Sequence, residues 1–428
     1  MSINETPSGE RLHIGIFGRR NAGKSSLINA ITGQPLAIVS DVKGTTTDPV
    51  SKAMEILPIG PCMLIDTPGL DDEGELGQKR IQKAMQVLNK TDIAIVVLDI
   101  AALSKEELES ECGLPFKECE VLAQIEERKI PAILVLNQTD KLTTESMQQI
   151  QHIIMQKNPS LPVIAVSAKN GTGIQELKDA MIQKAPDVDC KLHIIGDKVE
   201  AGDIVVLVVP VDSAAPKGRL IMPQQQVIRD LLDHQAVAVV TQVPELGSVL
   251  ERLKGQVKLV ITDSQAFKEV AQIVPKELYL TSFSILFARH KGNLKKLVEG
   301  LRYIDRLQDN SRVLIAEGCT HHRQCDDIGT VKIPRWLRQY TGKELVIESS
   351  SGHEFPEDLT SYDLVIHCGG CTLHEKEMKH RIALANRQQV PIVNYGIFIA
   401  YVNGILKRSI EIFPEIHRLI KGEEDESI

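Results

Sequence analysis

The sequence predicts an α/β protein made of three consecutive domains, each built on a parallel sheet. At 428 residues the chain is too long for a single hydrophobic core. Short apolar runs, each followed by a helical pattern, recur along its length. This alternation is typical of parallel strands covered by helices. We place the three domains at residues 1–185, 190–268 and 270–428.

Each domain has its own series of candidate strands. The apolar runs are LHIGIFG (12–18), CMLIDTPG (62–69), IAIVVLD (93–99), AILVLNQ (132–138) and VIAVSA (163–168), then DIVVLVVPV (203–211), AVAVVT (236–241) and VKLVIT (257–262), then RVLIAEGC (312–319), ELVIES (344–349), DLVIHCGGC (363–371) and VPIVNYG (390–396). The middle series is the shortest, and a sheet of about four short strands buries too little apolar area to be stable alone. We therefore expect the middle domain to form a homodimer with a second copy of the chain.

Composition and charge argue against two classes of partner. The net charge is −8 and aromatic residues make up 4% of the chain, whereas nucleic-acid binders usually have a basic face and stacking aromatics. The N-terminus has no apolar signal segment, and the most apolar stretch (93–103) is broken by Asp99 and too short to span a bilayer. We expect a cytoplasmic protein that binds neither nucleic acid nor membrane. Its eight cysteines are then expected to be thiols, with clusters of them serving metal or redox chemistry.

A glycine-rich turn follows the first candidate strand. Residues 18–25 read GRRNAGKS, which matches GxxxxGK[ST], and a helical pattern follows. The backbone N–H groups of such a turn surround phosphate oxygens, and the helix N-terminus adds its positive end. Lys24 is expected to reach the β- and γ-phosphates, and the Ser25 hydroxyl is expected to bind Mg²⁺.

Two further motifs complete the candidate Mg²⁺ and γ-phosphate site. Asp66-Thr-Pro-Gly69 ends a strand, so that Asp66 can support the Mg²⁺ shell and the Gly69 N–H can sense the γ-phosphate. Between this motif and the glycine-rich turn lies a threonine-rich loop, in which Thr46, rather than Thr45, is the candidate second Mg²⁺ ligand. These residues are expected to form the catalytic centre together with Lys24.

Base recognition is assigned to two later strand ends. Asn137-Gln-Thr-Asp140 places a carboxylate that can accept hydrogen bonds from guanine N1–H and from the exocyclic amine, a donor pair that adenine lacks. Ser167-Ala168-Lys169 places a backbone N–H towards guanine O6. The glycine-rich turn, DTPG, NQTD and SAK, in this order, predict GTP as the nucleotide.

These motifs resemble the translation-factor-like GTPases, especially the Era-type and tRNA-modification branch, over the first 185 residues. The resemblance implies a Ras-like P-loop GTPase domain that binds GTP or GDP with Mg²⁺. The residues assigned to the nucleotide are Gly18, Asn21, Ala22, Gly23, Lys24, Ser25, Ser26, Asn137, Asp140, Ser167, Ala168 and Lys169.

Three positions modify what this resemblance implies. Leu70 stands where Ras-like enzymes keep a water-orienting glutamine, which predicts slow hydrolysis. Asn21 matches the asparagine that helps to hold K⁺ in the potassium-activated members, which predicts stimulation by K⁺. Gln138 replaces a lysine that normally packs over the base and braces the phosphate loop, and this predicts weaker nucleotide affinity.

Two cysteine-containing segments end candidate strands of the third domain. Cys319-Thr-His321 follows one strand, and His367-Cys368-Gly-Gly-Cys371 follows another. In an open parallel sheet, loops at the carboxyl ends of neighbouring strands face one crevice, so the two segments are expected to converge. Their thiol and imidazole groups suit either a tetrahedral zinc site or an iron–sulfur cluster.

The spacing CxHx45HCxxC after a GTPase domain resembles the HydF family, the maturation GTPases of iron–iron hydrogenases, over the whole chain. The resemblance implies a 4Fe–4S cluster on Cys319, Cys368 and Cys371, with His321 and His367 as candidates for the fourth ligand or for supporting contacts. It implies dimerisation through the middle domain. It also implies a scaffold and carrier that receives a transient di-iron precursor from radical-SAM maturases and delivers the di-iron unit to the apo iron–iron hydrogenase.

A second function class stays open on the residues alone. An RNA- or ribosome-associated GTPase with a structural zinc site would contain the same nucleotide motifs and the same thiols. The acidic net charge and the few aromatic residues count against it. Metal identity in the isolated protein separates the two classes.

Overall fold

The computed structural model of this chain describes residues 6–33, 49–70, 74–186, 193–211, 220–318, 327–352 and 354–421. The chain divides into two compact units, Met1–Cys190 and Lys191–Ile428. Within the described ranges, every helix is too short or too polar to cross a membrane.

The first unit is a six-stranded sheet with helices on both faces. Its elements are β1 (Leu12–Phe17), α1 (Lys24–Thr32), β2 (Val50–Ile56), β3 (Gly60–Asp66), α2 (Gly74–Leu88), β4 (Ile93–Asp99), α3 (Lys105–Glu109), α4 (Phe116–Glu127), β5 (Ala132–Asn137), α5 (Thr144–Lys157), β6 (Val163–Ala165) and α6 (Ile174–Lys184). The strand order is β2-β3-β1-β4-β5-β6. Separate apolar clusters fill the two faces of this sheet, which explains why its central strands are continuous apolar runs.

The sheet of the first unit differs from the predicted all-parallel arrangement at one edge. β2 pairs antiparallel with β3, from Val50 opposite Asp66 to Ile56 opposite Gly60. Most of its residues are exposed or half-buried, as expected of an edge strand with one solvated face. The sequence VSKAMEI contains no apolar run, so the pattern that marks buried strands is missing from it.

The second unit contains two four-stranded parallel sheets. Its elements are β7 (Ile204–Val208), α7 (Met222–Asp233), β8 (Val237–Thr241), α8 (Leu246–Arg252), β9 (Val257–Thr262), α9 (Phe267–Ile273), β10 (Tyr279–Ser282), α10 (Phe283–Lys291), α11 (Leu294–Glu299), β11 (Arg312–Glu317), α12 (Ile333–Thr341), β12 (Val346–Ser351), β13 (Leu364–His367), α13 (Glu375–Arg387), β14 (Ile392–Asn394), α14 (Tyr395–Val402), α15 (Leu406–Ser409) and α16 (Pro414–Lys421). The strand orders are β10-β9-β7-β8 and β12-β11-β13-β14.

The two sheets of the second unit share one hydrophobic core. A single cluster of buried side chains extends from Ile194 to Ile416 and includes strands of both sheets. Helix α10, which directly follows β10, contacts α7 as well as α13 and α14. Six of its nine residues are buried, which explains why its sequence FSILFARHK is apolar around much of its circumference. The predicted second and third domains therefore pack as one body.

Two of the eight cysteines are bonded to each other in the structure. Cys112 and Cys119, which we expected to be thiols, form a disulfide whose Cα atoms are 6.7 Å apart. Cys119 belongs to α4, and Cys112 belongs to the turn before that helix, so the short sequence separation brings them together. Among the described residues, the free cysteines are Cys62, Cys368 and Cys371.

Candidate functional site

The phosphate-binding turn connects β1 to α1. Gly23 has φ +86°, in the left-handed region, and a Cβ there would lie 2.2 Å from Asn137 Nδ2, so the position requires glycine. Lys24 is buried, and its Nζ donates to the carbonyl oxygens of Gly18 and Arg19 at 2.9 and 2.8 Å. The ammonium is thus held within the turn, where it suits a phosphate group.

Ser25 and Asp66 form the candidate Mg²⁺ position. The Ser25 hydroxyl donates to Asp66 Oδ2 at 2.6 Å, at the end of β3. Asp66 Oδ1 is buried and has no hydrogen-bond partner within the described part of the chain. Burial raises the pKa of this carboxyl, against the Ser25 hydrogen bond and the charge of Lys24. A buried acceptor without a partner is costly, and Mg²⁺, which binds carboxylate oxygens, would supply one.

The residues expected to sense the γ-phosphate are only partly described. Thr46 and the neighbouring Thr45 lie outside the described residues, so their predicted role stays a prediction. Gly69 is half-buried just after β3. The next side chain, Leu70, is buried in the apolar cluster that contains Phe17. It packs into the core and is unsuited to orienting a water molecule.

Asn137 connects the phosphate-binding turn to the base-recognition motifs. Its Nδ2 donates to the Ala22 carbonyl oxygen at 2.9 Å, and its Oδ1 accepts from the Ala168 N–H at 3.1 Å. Asp140 is exposed, and the Ser167 hydroxyl donates to its Oδ1 at 2.7 Å. This hydrogen bond holds the pKa of Asp140 below its usual value. The motifs predicted for guanine thus lie together, with an ionised carboxylate as their acceptor.

The remaining predicted nucleotide residues lie around this framework. Asn21 is exposed in the turn and has φ +59°. Ser26 is half-buried in α1. Lys169 is exposed after Ala168, and its positive charge also lowers the pKa of Asp140.

Gln138 makes the contact to the phosphate-binding turn that was expected of the missing lysine. Its Nε2 donates to the carbonyl oxygen of Asn21 at 3.0 Å. The glutamine amide therefore braces the phosphate-binding turn itself, although it is shorter than a lysine. The weaker nucleotide affinity predicted for this substitution stays a prediction.

Two acidic residues without a sequence motif hold the turn at Arg19. Glu118 in α4 is fully buried; its Oε1 accepts from the backbone N–H of Arg19, and its Oε2 forms an ion pair with Arg19 Nε, both at 3.2 Å. Glu107 in α3 forms a second ion pair, with Arg19 Nη1 at 3.1 Å. Because Glu118 lies 99 residues from Arg19, no local pattern signals this contact.

The two cysteine segments of the second unit begin at neighbouring strand ends. β11 and β13 pair in parallel, with Ala316 opposite His367. Cys319 and His321 lie outside the described residues. Gly318, the residue before Cys319, donates its N–H to Cys368 Sγ at 3.0 Å. Gly318, the last described residue before Cys319, therefore lies beside the CxxC segment.

The CxxC loop presents its first sulfur to backbone donors. Cys368 Sγ accepts from Gly318 and also from the Gly370 N–H, at 3.4 Å. Gly370 has φ +64°, which turns the loop back towards the sulfur. Burial and the neighbouring Cys371 raise the pKa of the Cys368 thiol to about 11. Burial also raises the pKa of Cys371, which the charge of Lys291 opposes. A bound metal would favour the thiolate that burial disfavours.

His367 supports the backbone of this loop. Its ring is fully buried, and burial together with the positive charge of Arg381 lowers its pKa to about 3. Arg381 Nη1 lies 3.0 Å from His367 Nε2 and can only donate, so Nδ1 carries the proton and donates to the Cys368 carbonyl oxygen at 2.8 Å. Both ring nitrogens are engaged. Ligation through His367 would require breaking one of these bonds.

Lys291 is a second supporting residue, and no sequence motif pointed to it. It is buried at the end of α10, and its Nζ donates to the carbonyl oxygens of Cys371 and Leu373, both at 3.0 Å. A buried lysine is unusual unless it is paired. These contacts fix the backbone around the second cysteine.

Comparisons with known families cover most of the chain. Residues 13–138 match a family model described as a 50S ribosome-binding GTPase. Residues 194–292 match the hydrogen maturase F dimerization domain, and residues 295–412 match the hydrogen maturase F tetramerization domain. The three models follow one another along the chain in the order of the sheets described above.

Two curated relatives each match about two fifths of the chain. GTPase Der from Wolinella succinogenes is 32% identical over 189 residues, which are 42% of this chain and 37% of its own. The tRNA modification GTPase MnmE from Alkaliphilus oremlandii is 33% identical over 176 residues, 41% of this chain and 34% of its own. This chain thus spans little more than a third of the length of these relatives. Among solved structures, Aquifex aeolicus Era aligns over 57% of this chain and 98% of its own, at 19% identity and a TM-score of 0.36.

The family follows from the second unit of the chain. The first unit is a Ras-like P-loop GTPase domain, and further α/β domains with parallel sheets follow it. The two hydrogen maturase F models together cover about half of the chain. Because these models follow a GTPase domain in one polypeptide, the chain belongs to the hydrogen maturase F (HydF) family.

Proposed function

We propose that this protein is a GTP-hydrolysing scaffold and carrier in the maturation of iron–iron hydrogenases. In this proposal it holds a 4Fe–4S cluster on Cys319, Cys368 and Cys371, assembles the di-iron unit and delivers it to the apo-hydrogenase. The observation that carries the proposal is the pair of hydrogen maturase F domains, one of which contains a half-buried CxxC loop beside Gly318, the residue before Cys319.

The nucleotide half of the proposal rests on the first unit. Lys24, Ser25 and Asp66 are arranged for a phosphate group and Mg²⁺, and Asp140 is available to guanine. Since Leu70 is buried in the core, hydrolysis is slow without another way of orienting water. We propose that K⁺, held with the help of Asn21, accelerates it.

The base-recognition proposal predicts the effect of Asp140→Asn. An asparagine amide donates where the carboxylate accepted, so it disfavours the guanine amine and favours the xanthine O2. We expect the ratio of kcat/KM for xanthosine triphosphate to kcat/KM for GTP to rise by about a hundredfold or more. Steady-state kinetics with both nucleotides and with ATP measure this. Asp179→Asn, an exposed change on α6, is the control and leaves the ratio unchanged. Equal turnover of ATP and GTP by the unmodified protein contradicts the assignment.

The iron–sulfur part of the proposal rests on the sulfur atoms of the CxxC loop and on the backbone N–H groups around them. Two described thiols are half-buried, and backbone N–H groups point at Cys368 Sγ, as suits a metal-bound sulfur. When bound, the cluster offers an iron with an exchangeable ligand, where an incoming group can attach. His367, Arg381 and Lys291 keep the loop in place.

The partners in this proposal are the radical-SAM maturases, the apo-hydrogenase and a second copy of the chain. Dimerization and tetramerization domains indicate that the protein oligomerises. Support for the homodimer comes from β8, which is an edge strand of its sheet and exposes Val237 and Val240 to 46% and 47%. Unpaired apolar edge strands tend to pair with other chains. Light scattering on the full chain tests this, and a monomer at micromolar concentration contradicts it.

Metal analysis of anaerobically purified protein tests the proposed function. We expect about four irons and four sulfides per chain, an absorbance spectrum of a 4Fe–4S cluster, and activation of apo-hydrogenase when the maturases have loaded the protein. Protein stripped of iron is the control and does not activate. Stoichiometric zinc at the cysteines without iron would instead support the alternative, an RNA- or ribosome-associated GTPase with a structural zinc site.

A further inference from the structure

A cluster of two histidines and one aspartate lies at the start of the second unit, apart from both sites above. One nitrogen of His193, one nitrogen of His234 and one oxygen of Asp230 lie within 4.8 Å of one another. Asp230 Oδ1 is 3.9 Å from His193 Nδ1 and 3.8 Å from His234 Nδ1. The two imidazole rings meet edge to face, with centroids 4.5 Å apart.

The fold brings these three side chains together from two segments. Asp230 lies in the last turn of α7, and His234 is the residue after that helix, four positions later on the same face. His193 precedes the turn Gly196–Lys198. Asp230 Oδ2 accepts from the backbone N–H groups of Ile195 and Gly196, at 2.7 and 2.8 Å. One carboxylate oxygen is therefore used for anchoring, and the other is left for the imidazoles.

The surrounding contacts orient the donors. His234 Nδ1 lies 2.7 Å from the Asp230 carbonyl oxygen, so it carries the proton and Nε2 is the nitrogen left to bind an ion. The 3.8 Å distance to Asp230 Oδ1 is therefore that of the protonated Nδ1 and not that of the metal-binding nitrogen. A metal-binding histidine usually donates its other N–H to such an acceptor. Arg289 Nη1 donates to the carbonyl oxygens of His193 and Ile194, at 3.2 and 3.3 Å. The backbone at His193 is thereby fixed.

The electrostatic setting favours a cation. The C-terminal end of α7 has the negative end of the helix dipole. Within the described part of the chain, the basic side chains within 4 Å of the Asp230 carboxylate are the two imidazoles, which bind a metal in their neutral form, and Arg289 pairs instead with Asp197 at 2.6 Å. The side chains of His193, His234 and Asp230 are 49%, 27% and 12% exposed, so an ion can enter from solvent.

We propose that His193, Asp230 and His234 bind one divalent first-row transition-metal ion, for which Zn²⁺ is the probe. Two imidazoles and one carboxylate suit zinc or iron(II), whereas Mg²⁺ and Ca²⁺ prefer oxygen ligands. The ion connects the segment from His193 to Lys198 with the C-terminal end of α7. Three protein ligands leave at least one position open to water or to another group.

Zinc titration of the full-length, tag-free chain tests the site. The parent protein for this experiment carries Cys319→Ser, Cys368→Ser and Cys371→Ser, so that these thiols do not compete for zinc. Calorimetry is expected to show one equivalent bound with a micromolar or lower Kd, and His193→Ala is expected to weaken it at least tenfold. When Co²⁺ replaces Zn²⁺, the visible absorption bands are expected to be those of a cobalt ion bound by nitrogen and oxygen atoms. His152→Ala, an exposed histidine on α5, is the matched control and leaves the affinity unchanged.

Two outcomes overturn the proposal: zinc binding of equal strength in His193→Ala and the parent, or no binding at micromolar zinc. Since His193 is half exposed, its alanine variant is expected to melt at the parent temperature without metal. If His193→Ala melts at a lower temperature than the parent, His234→Gln becomes the test variant. Unchanged zinc affinity in His234→Gln then overturns the proposal. Iron at the cysteine site is measured in the protein that retains these cysteines. The zinc result and the proposed carrier function can therefore fail independently.

Discussion

We expect Lys24→Ala to abolish GTP hydrolysis, with a loss in kcat of about a hundredfold or more. The Lys24 ammonium is held inside the phosphate-binding turn by two carbonyl oxygens, and in the proposed function it balances negative charge on the transferred phosphate. Ser25→Ala is expected to act similarly, because it removes a ligand of the candidate Mg²⁺ site next to Asp66. Phosphate release under saturating GTP and Mg²⁺ measures both.

The matched control for this prediction is Lys117→Ala, which removes a surface lysine of the same unit that pairs with Glu120. It is expected to hydrolyse GTP at the unmodified rate. The iron content of Lys24→Ala is expected to equal that of the unmodified protein, and its activation of apo-hydrogenase is expected to fail. Full GTP turnover by Lys24→Ala, or a loss of iron in it, contradicts the proposed assignment.

The second large effect is expected from the cysteines. Cys368→Ser and Cys371→Ser each replace a soft thiolate with a poor iron ligand, so the cluster is lost or made unstable. Cys319→Ser is expected to do the same. GTP turnover is expected to change less than twofold, because the nucleotide residues all belong to the first unit. Iron and sulfide content, GTP turnover and hydrogenase activation are measured on each variant.

Two further variants make this prediction specific. Cys62→Ala changes the free, buried cysteine of β3 and is expected to keep the iron content. His321→Ala is expected to alter the cluster spectrum while iron is retained, as for a weak ligand or a supporting group. If the cysteine variants keep full iron and lose GTP turnover instead, then assigning the cluster to the cysteines and GTP hydrolysis to the first unit is wrong.

The strands could be predicted where burial alone dictates the sequence. IAIVVLD and VKLVIT coincide with β4 and β9, because strands covered on both faces are continuous apolar runs. β2 and β10 could not be predicted in this way. β2 is a half-solvated edge strand, and β10 has only four residues, YLTS at 279–282, two of which are polar. Such a segment is too short to show a pattern of its own.

The candidate sites were predictable as far as their chemistry lies in short motifs. Ser25, Asp66, Asn137 and Cys368 each belong to a motif at the end of a strand. Their supports could not be found in this way. The contacts of Glu118 with Arg19 and of Lys291 with the CxxC loop join segments about eighty to a hundred residues apart, and only the folded packing creates them.

The buried ammonium of Lys291 makes the open form of the CxxC loop rare. Moving Cys371 and Leu373 away from it breaks two hydrogen bonds to a charged group. Each such bond contributes about 1.5 to 3 kcal/mol, so opening the loop costs about 3 to 6 kcal/mol. At about 1.4 kcal/mol per factor of ten, these two bonds alone favour the closed loop by a factor of roughly one hundred to twenty thousand. In the proposed carrier function, a partner that takes up cargo through this loop must supply comparable binding energy.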